Sequence, residues 1–382
     1  MRLLPLIAIF LLAACGPREG ARHQDGKRAD SVPAREIMDI TALAETEADS
    51  LLSLMTLEEK AAQTLMPALY SSTDPYTLKA VGDYGRMGIG GVVLLKGDTA
   101  SAAAIADSLQ RSGRVEAFVA IDAEWGLAMR LRDAPRFPAN SELSDSIGET
   151  EMFDYGEEVG RESRRLGINM VLGPVVDVAS AGSFMGKRSF GSDPKRVSDL
   201  AVAYARGLES SGVMSVAKHF PGHGSARGDS HKRKPVIERS LHEMDSVDLY
   251  PFRRYIAEGL SAVMVGHLAV PAIDPEMRPA AVSKTVINDL LQTDLGFRGL
   301  VLTDALTMGG AEGNGADSAL EAGADLILAP VDTRAGIAAI VKAVENGRLP
   351  AAELDRRVRK ILFYKSLLRI RSGKKNTPPG AG

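Results

Sequence analysis

Eight short apolar runs, rich in β-branched residues and separated by stretches long enough for helices, constrain this chain more than any other feature. They are AAQTLMPAL around Leu65, GGVVLL (90–95), AFVAID (117–122) and NMVLGPVVDV (169–178), then MSVAKHF (214–220), AVMVGHLAV (262–270), GLVLTDAL (299–306) and ADLILAP (324–330). A strand with one wet face alternates apolar and polar residues. Runs that stay apolar belong to a parallel sheet buried on both faces. Helical spacers such as 149–166 lie between them. Eight such units in order predict an α/β chain folded as a single (β/α)8 TIM-type barrel. An open doubly wound sheet is the alternative, because periodicity alone does not close a barrel. Near the end, ELDRRVRKILFYKSLL (353–368) places Leu354, Val358, Ile361 and Leu362 on one helical face and predicts a helix that docks on the barrel.

The two ends carry no such pattern. MRLLPLIAIFLLAACG has a positive Arg2, an apolar stretch over 3–12, and Ala13-Ala14 before Cys15, the chain's single cysteine. It is too short to span a bilayer comfortably and reads as a signal peptide. LAAC resembles a bacterial lipobox, which implies a lipidated Cys15 at the start of the mature protein; an uncleaved anchor or an ordinary secretion signal is the other reading. With no second cysteine, internal disulfides are excluded. The expected organisation is a signal peptide over 1–14, a flexible tether over 15–45 with a solvated His23, the barrel over 46–370, and a loose tail over 371–382. The expected place is the bacterial cell envelope, lipid-anchored at the outer membrane or the periplasmic face. With 46 basic against 49 acidic residues the net charge is -3, which gives no reason to expect a nucleic-acid partner. A monomer is expected, and nothing in the sequence calls for a cofactor.

Charged or imidazole side chains recur where several of the runs end: Asp122, Asp177, Lys218 with His219, His267, and Asp304. In a barrel these ends share one face, where active sites form. A charge ending a buried run is costly without a partner or a ligand. Taken singly, each residue reads equally well as half of a structural ion pair; their recurrence favours a shared site.

The fifth run continues into AKHFPGHGSARGDSH (217–231), which holds three of the six histidines. His219 and His223 have the spacing of a helical zinc pair, but Pro221-Gly222 between them breaks a helix, and no HExxH or thiol cluster is present. The expectation is therefore no metal, with a metal-dependent barrel hydrolase as the remote alternative. For His223 the simpler reading is a residue that pins the FPGHG loop by hydrogen bonds. Asp229 and His231, two apart on a glycine-containing loop (Gly222, Gly224, Gly228), suit a carboxylate-oriented imidazole doing general acid/base work. Such a pair needs a nucleophile, and Asp304 is the candidate.

KHFPGHG followed by DSH resembles the signature of the β-N-acetylhexosaminidase branch of glycoside hydrolase family 3. LMTLEEKAAQTLM, GIGGVVLLKGD, IDAEWGLAMRL, LGPVVDV, GKRSFGSDP, VMVGHLAVPAID and GFRGLVLTDALTM stand in that family's order. The resemblance implies a retaining exo-acting enzyme that removes terminal β-linked N-acetylglucosamine from peptidoglycan fragments, chitin-like oligosaccharides or glycans. It implies Asp304 as nucleophile and His231 as acid/base with Asp229 as its partner. It also implies a sugar pocket of Asp122, Arg130, Arg188, Lys218 and His219. Glu124 is a rival acid that reads equally as a loop brace. Because a spent histidine is neutral, phosphate as acceptor is a variant of the same chemistry. A β-glucosidase or β-xylosidase of the family is the nearest rival, and a non-catalytic sugar-binding lipoprotein the most distant. DAEWGLAMR departs from the Gly-Gly-Arg version of that block, which leaves substrate range open.

Overall fold

The computed structural model describes residues 34–180, 182–226, 235–308, 311 and 315–373. Each of the eight runs supplies strand: β1 (Leu65–Met66) and β2 (Ala68–Ser71) from the first, then β3 (Gly91–Gly97), β4 (Phe118–Ile121), β5 (Met170–Val171), β6 (Met214–Phe220), β7 (Ala262–Val265), β8 (Leu300–Thr303) and β9 (Ile327–Leu328). Seven of them form one all-parallel curled sheet in the order β2-β3-β4-β5-β6-β7-β8, and β1 pairs separately with β9.

The expected eight-stranded closure is thus met in part, as a curled sheet whose ladder is not fully closed. Two local causes are visible. Pro67 splits the first run and has no N–H to give, although its carbonyl still accepts from Val93 N at 2.9 Å. In the last run, the Asp325 side chain takes the Val301 N–H at 2.9 Å, and Ala329 turns to φ 42 directly after β9. Only single links join β8 to β9, such as Thr303 N to Leu326 O at 3.0 Å.

The continuous apolar runs have a simple origin. Side chains alternate between two buried faces. Met66, Val93, Phe118, Ala120, Met170, Met214, Val216, Met264, Leu300 and Leu302 fill the inside of the curl. Leu65, Val92, Leu94, Val119, Ile121, Ala217, Val263 and Val301 face the surrounding helices. The helix Ala351–Arg371 docks as its pattern predicts, burying Leu354, Val358, Ile361 and Leu362, and Ile361 joins the inner layer. The helix Ala34–Ser53 begins inside the stretch read as a tether, buries Ala44 and Ala48, and is tied to the last helix by Arg359–Asp49 and Arg369–Glu47. Among the described residues no helix is long and apolar enough to cross a membrane.

One helix pair bears directly on the site. Glu149–Arg165, the expected spacer, lies against Pro194–Ser210 so closely that a Cβ on Gly156 would sit 2.2 Å from the Tyr204 carbonyl. That contact fixes Tyr204, whose hydroxyl donates to Ala123 O at 2.5 Å. Ala123 lies between two acidic residues of the site, so the helix pair positions both.

Candidate active site

Eight of the residues singled out from the sequence line one cavity of about 320 Å³ at the C-terminal ends of the strands: Asp122, Glu124, Arg130, Arg188, Lys218, His219, His223 and Asp304. Asp122 follows β4, and its carboxylate accepts from Arg130 Nη2 at 2.5 Å and from Lys218 Nζ at 2.7 Å. Lys218 also reaches Glu124 Oε1 at 2.8 Å. Arg188 holds Glu124 bidentately, Nη2 at 2.7 Å and Nε at 2.9 Å. The bland reading of Glu124 as a brace fits this geometry: it is buried between two cations. The register of β6 against β7 shifts between Lys218 and Phe220, and Lys218 and His219 both line the cavity there.

The network continues to His219. Its Nδ1 lies 2.8 Å from Asp177 Oδ2, and its Nε2 lies 3.2 Å from Arg188 Nη2. A carboxylate only accepts and a guanidinium only donates, so in its neutral form the ring carries its hydrogen on Nδ1 and presents Nε2 as acceptor. Asp177 also accepts from the backbone of His219 and, at 2.6 Å, of His223. The FPGHG loop is therefore pinned at His223 by a hydrogen bond, as the sequence leads one to expect, and the bond is made by the backbone N–H. Both ring nitrogens of His223 are buried without a hydrogen-bond partner among the described residues, and the ring packs against Phe184 and His219.

Asp304 follows β8. Its N–H donates to Val265 O at 2.9 Å, its carbonyl accepts from His267 Nε2 at 3.1 Å, and Oδ1 accepts from Ala305 N at 2.8 Å. Its carboxylate has no ion-pair partner among the described residues, in contrast to Asp122 and Glu124. Burial pushes the Asp304 carboxyl up, but His219, His267, the Ala305 N–H and Lys218 outweigh it and hold it below its ordinary value. Burial likewise opposes ionisation of Asp122 and Glu124. Lys218 and Arg130 overcome it at Asp122, and Lys218 and Arg188 bring Glu124 down to about 2. Burial would lower Lys218, yet Asp122 and Glu124 raise it. The site therefore presents a fixed array of ionised donors and acceptors beside one carboxylate, that of Asp304, with no ion-pair partner among the described residues. Such an array suits recognition of vicinal hydroxyls and stabilisation of a cationic transition state.

Asp229, His231 and Cys15 lie outside the described residues. Two contributors had no sequence signal. Tyr204 acts from the back of the site through Ala123. Asp248, buried, takes hydrogen bonds from Ser225 Oγ and Arg239 Nη1, both at 2.8 Å, and so secures the chain around Gly222. Gly222 has φ 123, and a Cβ there would lie 2.7 Å from the Asp248 Cβ.

The sequence pattern of the glycosyl hydrolase family 3 N-terminal domain matches residues 56–363. The chain is 35% identical over 257 residues to a beta-hexosaminidase of Neisseria meningitidis serogroup C, covering 63% of this chain and 71% of that one. It is 32% identical over 378 residues to the beta-hexosaminidase LpqI of Mycobacterium tuberculosis, covering 94% and 95%. The solved structure of a glycoside hydrolase family 3 beta-N-acetylglucosaminidase from Paenibacillus superposes with a TM-score of 0.78 at 32% identity, over 86% of this chain and 65% of that one. The chain belongs to glycosyl hydrolase family 3.

Proposed function

We propose that this chain cleaves terminal β-linked N-acetylglucosamine with retention, through a covalent glycosyl-Asp304 intermediate and a His231–Asp229 acid/base dyad. The activity class follows from its relatives: the enzyme is an exo-acting β-N-acetylhexosaminidase of family 3, working on oligosaccharides that contain N-acetylglucosamine. The observation that carries the route is the Asp304 carboxylate, held ionised in the cavity with no ion-pair partner among the described residues. Asp304 attacks the anomeric carbon as the bond to the leaving oxygen breaks and His231 delivers a proton to that oxygen. Water then attacks the same carbon, His231 takes its proton, and the sugar leaves in its original β configuration. Asp122, Arg130, Arg188, Lys218 and His219 hold the sugar. Peptidoglycan fragments, chitin-like oligosaccharides and glycans are the substrate classes this reading covers.

Removing the nucleophile tests it. Asp304→Ala should lose at least about a thousandfold in hydrolysis, and added azide should restore turnover to give the α-glycosyl azide. Substantial hydrolysis by the variant, or a β-azide, would refute the route.

The links from β8 to the β1–β9 pair support a finer reading of the domain, over residues 46–370, as an eight-stranded barrel. LAAC supports removal of residues 1–14 and a lipid on Cys15, which would hold a monomeric enzyme at the cell envelope, with 371–382 as a tail. Cys15→Ser should then move the enzyme from the membrane to the soluble fraction. If wild type and variant fractionate alike, the anchor is wrong.

A further inference from the structure

A second cavity, of about 470 Å³, opens beside the first and shares three wall residues with it: Ala68, Thr307 and Ala329. Its outer walls come from the connections after β2 and β9 and carry Tyr76 and Val331, which are 83% and 82% exposed. Exposed apolar side chains are ordinary when scattered singly, and become informative when two of this size rim one groove that adjoins a site. Neither is on loose backbone. Tyr76 sits in the first turn of the helix Pro75–Met87, where Asp74 Oδ1 accepts from the Tyr76 and Thr77 N–H groups at 3.0 Å. Val331 immediately precedes Asp332, which caps the helix Thr333–Glu345 by accepting from Ala335 N at 2.8 Å. The Tyr76 ring has no aromatic neighbour among the described residues.

We propose that this groove is the subsite for the leaving sugar, with the Tyr76 ring as its stacking platform and Val331 as the opposite edge. The inference rests on the exo-acting reading above, because a terminal sugar over Asp304 obliges the next ring to lie outside the first cavity. The shared wall decides where. A larger hollow around Ser189, Gly191 and Asp193 has no lining residue in common with the Asp304 cavity, whereas this groove continues from it. An aromatic face against the apolar face of a pyranose is the contact it offers. Lys79, paired with Asp83 at 2.7 Å, and the exposed Arg334 supply polar edges for ring hydroxyls. The occupant is therefore a second sugar ring.

The value of kcat/KM reports the step in which the leaving group departs, so a contact to that group alters it only for substrates that carry one. N-acetyl-β-glucosaminyl fluoride forms the same glycosyl-enzyme with no second ring; N,N′-diacetylchitobiose brings one. Tyr76→Ala should lower kcat/KM for the disaccharide about 5- to 10-fold and leave the fluoride within about twofold. Tyr76→Phe should retain both. Equal losses on the two substrates, or no loss on the disaccharide, would overturn the subsite while the reading of the active site stands. Wild-type enzyme inactive on both substrates would overturn the underlying reading and the subsite with it.

Discussion

Glu124→Gln tests whether the ion network holds the site together. The Glu124 side chain is 2% exposed, accepts two charge-assisted hydrogen bonds from Arg188 at 2.7 and 2.9 Å, and is ion-paired with Lys218 at 2.8 Å. Its pKa falls from 4.5 to about 2, which corresponds to about 3 kcal/mol of preference for the ionised form. Because the folded value is depressed, that stabilisation is complete above about pH 4.5 and fades as pH falls towards 2. Glutamine keeps the shape but removes the charge, leaving Arg188 without its anion and Lys218 with Asp122 alone. Breaking a buried pair in this way costs about 3–5 kcal/mol. Urea unfolding at pH 7 should register a loss of about 3 kcal/mol, shrinking as the pH approaches 3. With Arg188 freed, kcat/KM for the aryl N-acetylglucosaminide should fall about tenfold or more. A variant within about 0.5 kcal/mol of wild type at pH 7 would refute the reasoning.

Two further perturbations probe the frame behind the site. Gly156→Val puts branched carbon into the Tyr204 carbonyl and should destabilise by about 1–3 kcal/mol; KM should rise as well, since Tyr204 positions Ala123 between Asp122 and Glu124, and a variant that melts early with unchanged KM would disconnect the helix pair from the site. Lys365, buried on the last helix, donates to Gln63 Oε1 at 2.7 Å beside the Phe118 ring, and burial pulls its pKa down to about 7, against a weaker upward pull from Glu116. With the folded value below the unfolded one, its contribution to stability grows as pH rises from about 7 to 10.5. Lys365→Met should thus exceed wild type by about 3 kcal/mol at pH 7, an advantage that closes by pH 10; a gap that widens with pH would contradict the sign.

Much of this was legible in the sequence because parallel strands impose two regularities. Burial on both faces made the runs apolar throughout, so all eight were visible as strands. A common direction put their C-terminal ends on one face, so Asp122, Lys218, His219 and Asp304 were visible as a set. Arg130 and Arg188 came from family blocks, since neither ends a strand. What stayed hidden depends on single contacts between distant residues. Nothing in VLT or ADLIL announces that the Asp325 side chain, and not a carbonyl, takes the Val301 N–H. Tyr204 lies on a helix with ordinary amphipathic spacing, and only the close approach at Gly156 directs its hydroxyl to Ala123. His223 was legible as a residue that pins its loop, but not which of its atoms does so: Asp177 lies within reach of the backbone N–H, and the ring nitrogens have no hydrogen-bond partner among the described residues.

The central claim is that Asp304 becomes covalently bonded to the sugar. The most direct measurement is mass spectrometry of the full-length enzyme after brief exposure to a 5-fluoro N-acetylglucosaminyl fluoride, a substrate whose second step is slow. The account predicts one added glycosyl mass, located by peptide fragmentation on Asp304 and absent from Asp304→Ala. A modified peptide carrying the sugar on Asp122, Glu124 or Asp177, or steady turnover with no adduct at any time, would contradict it.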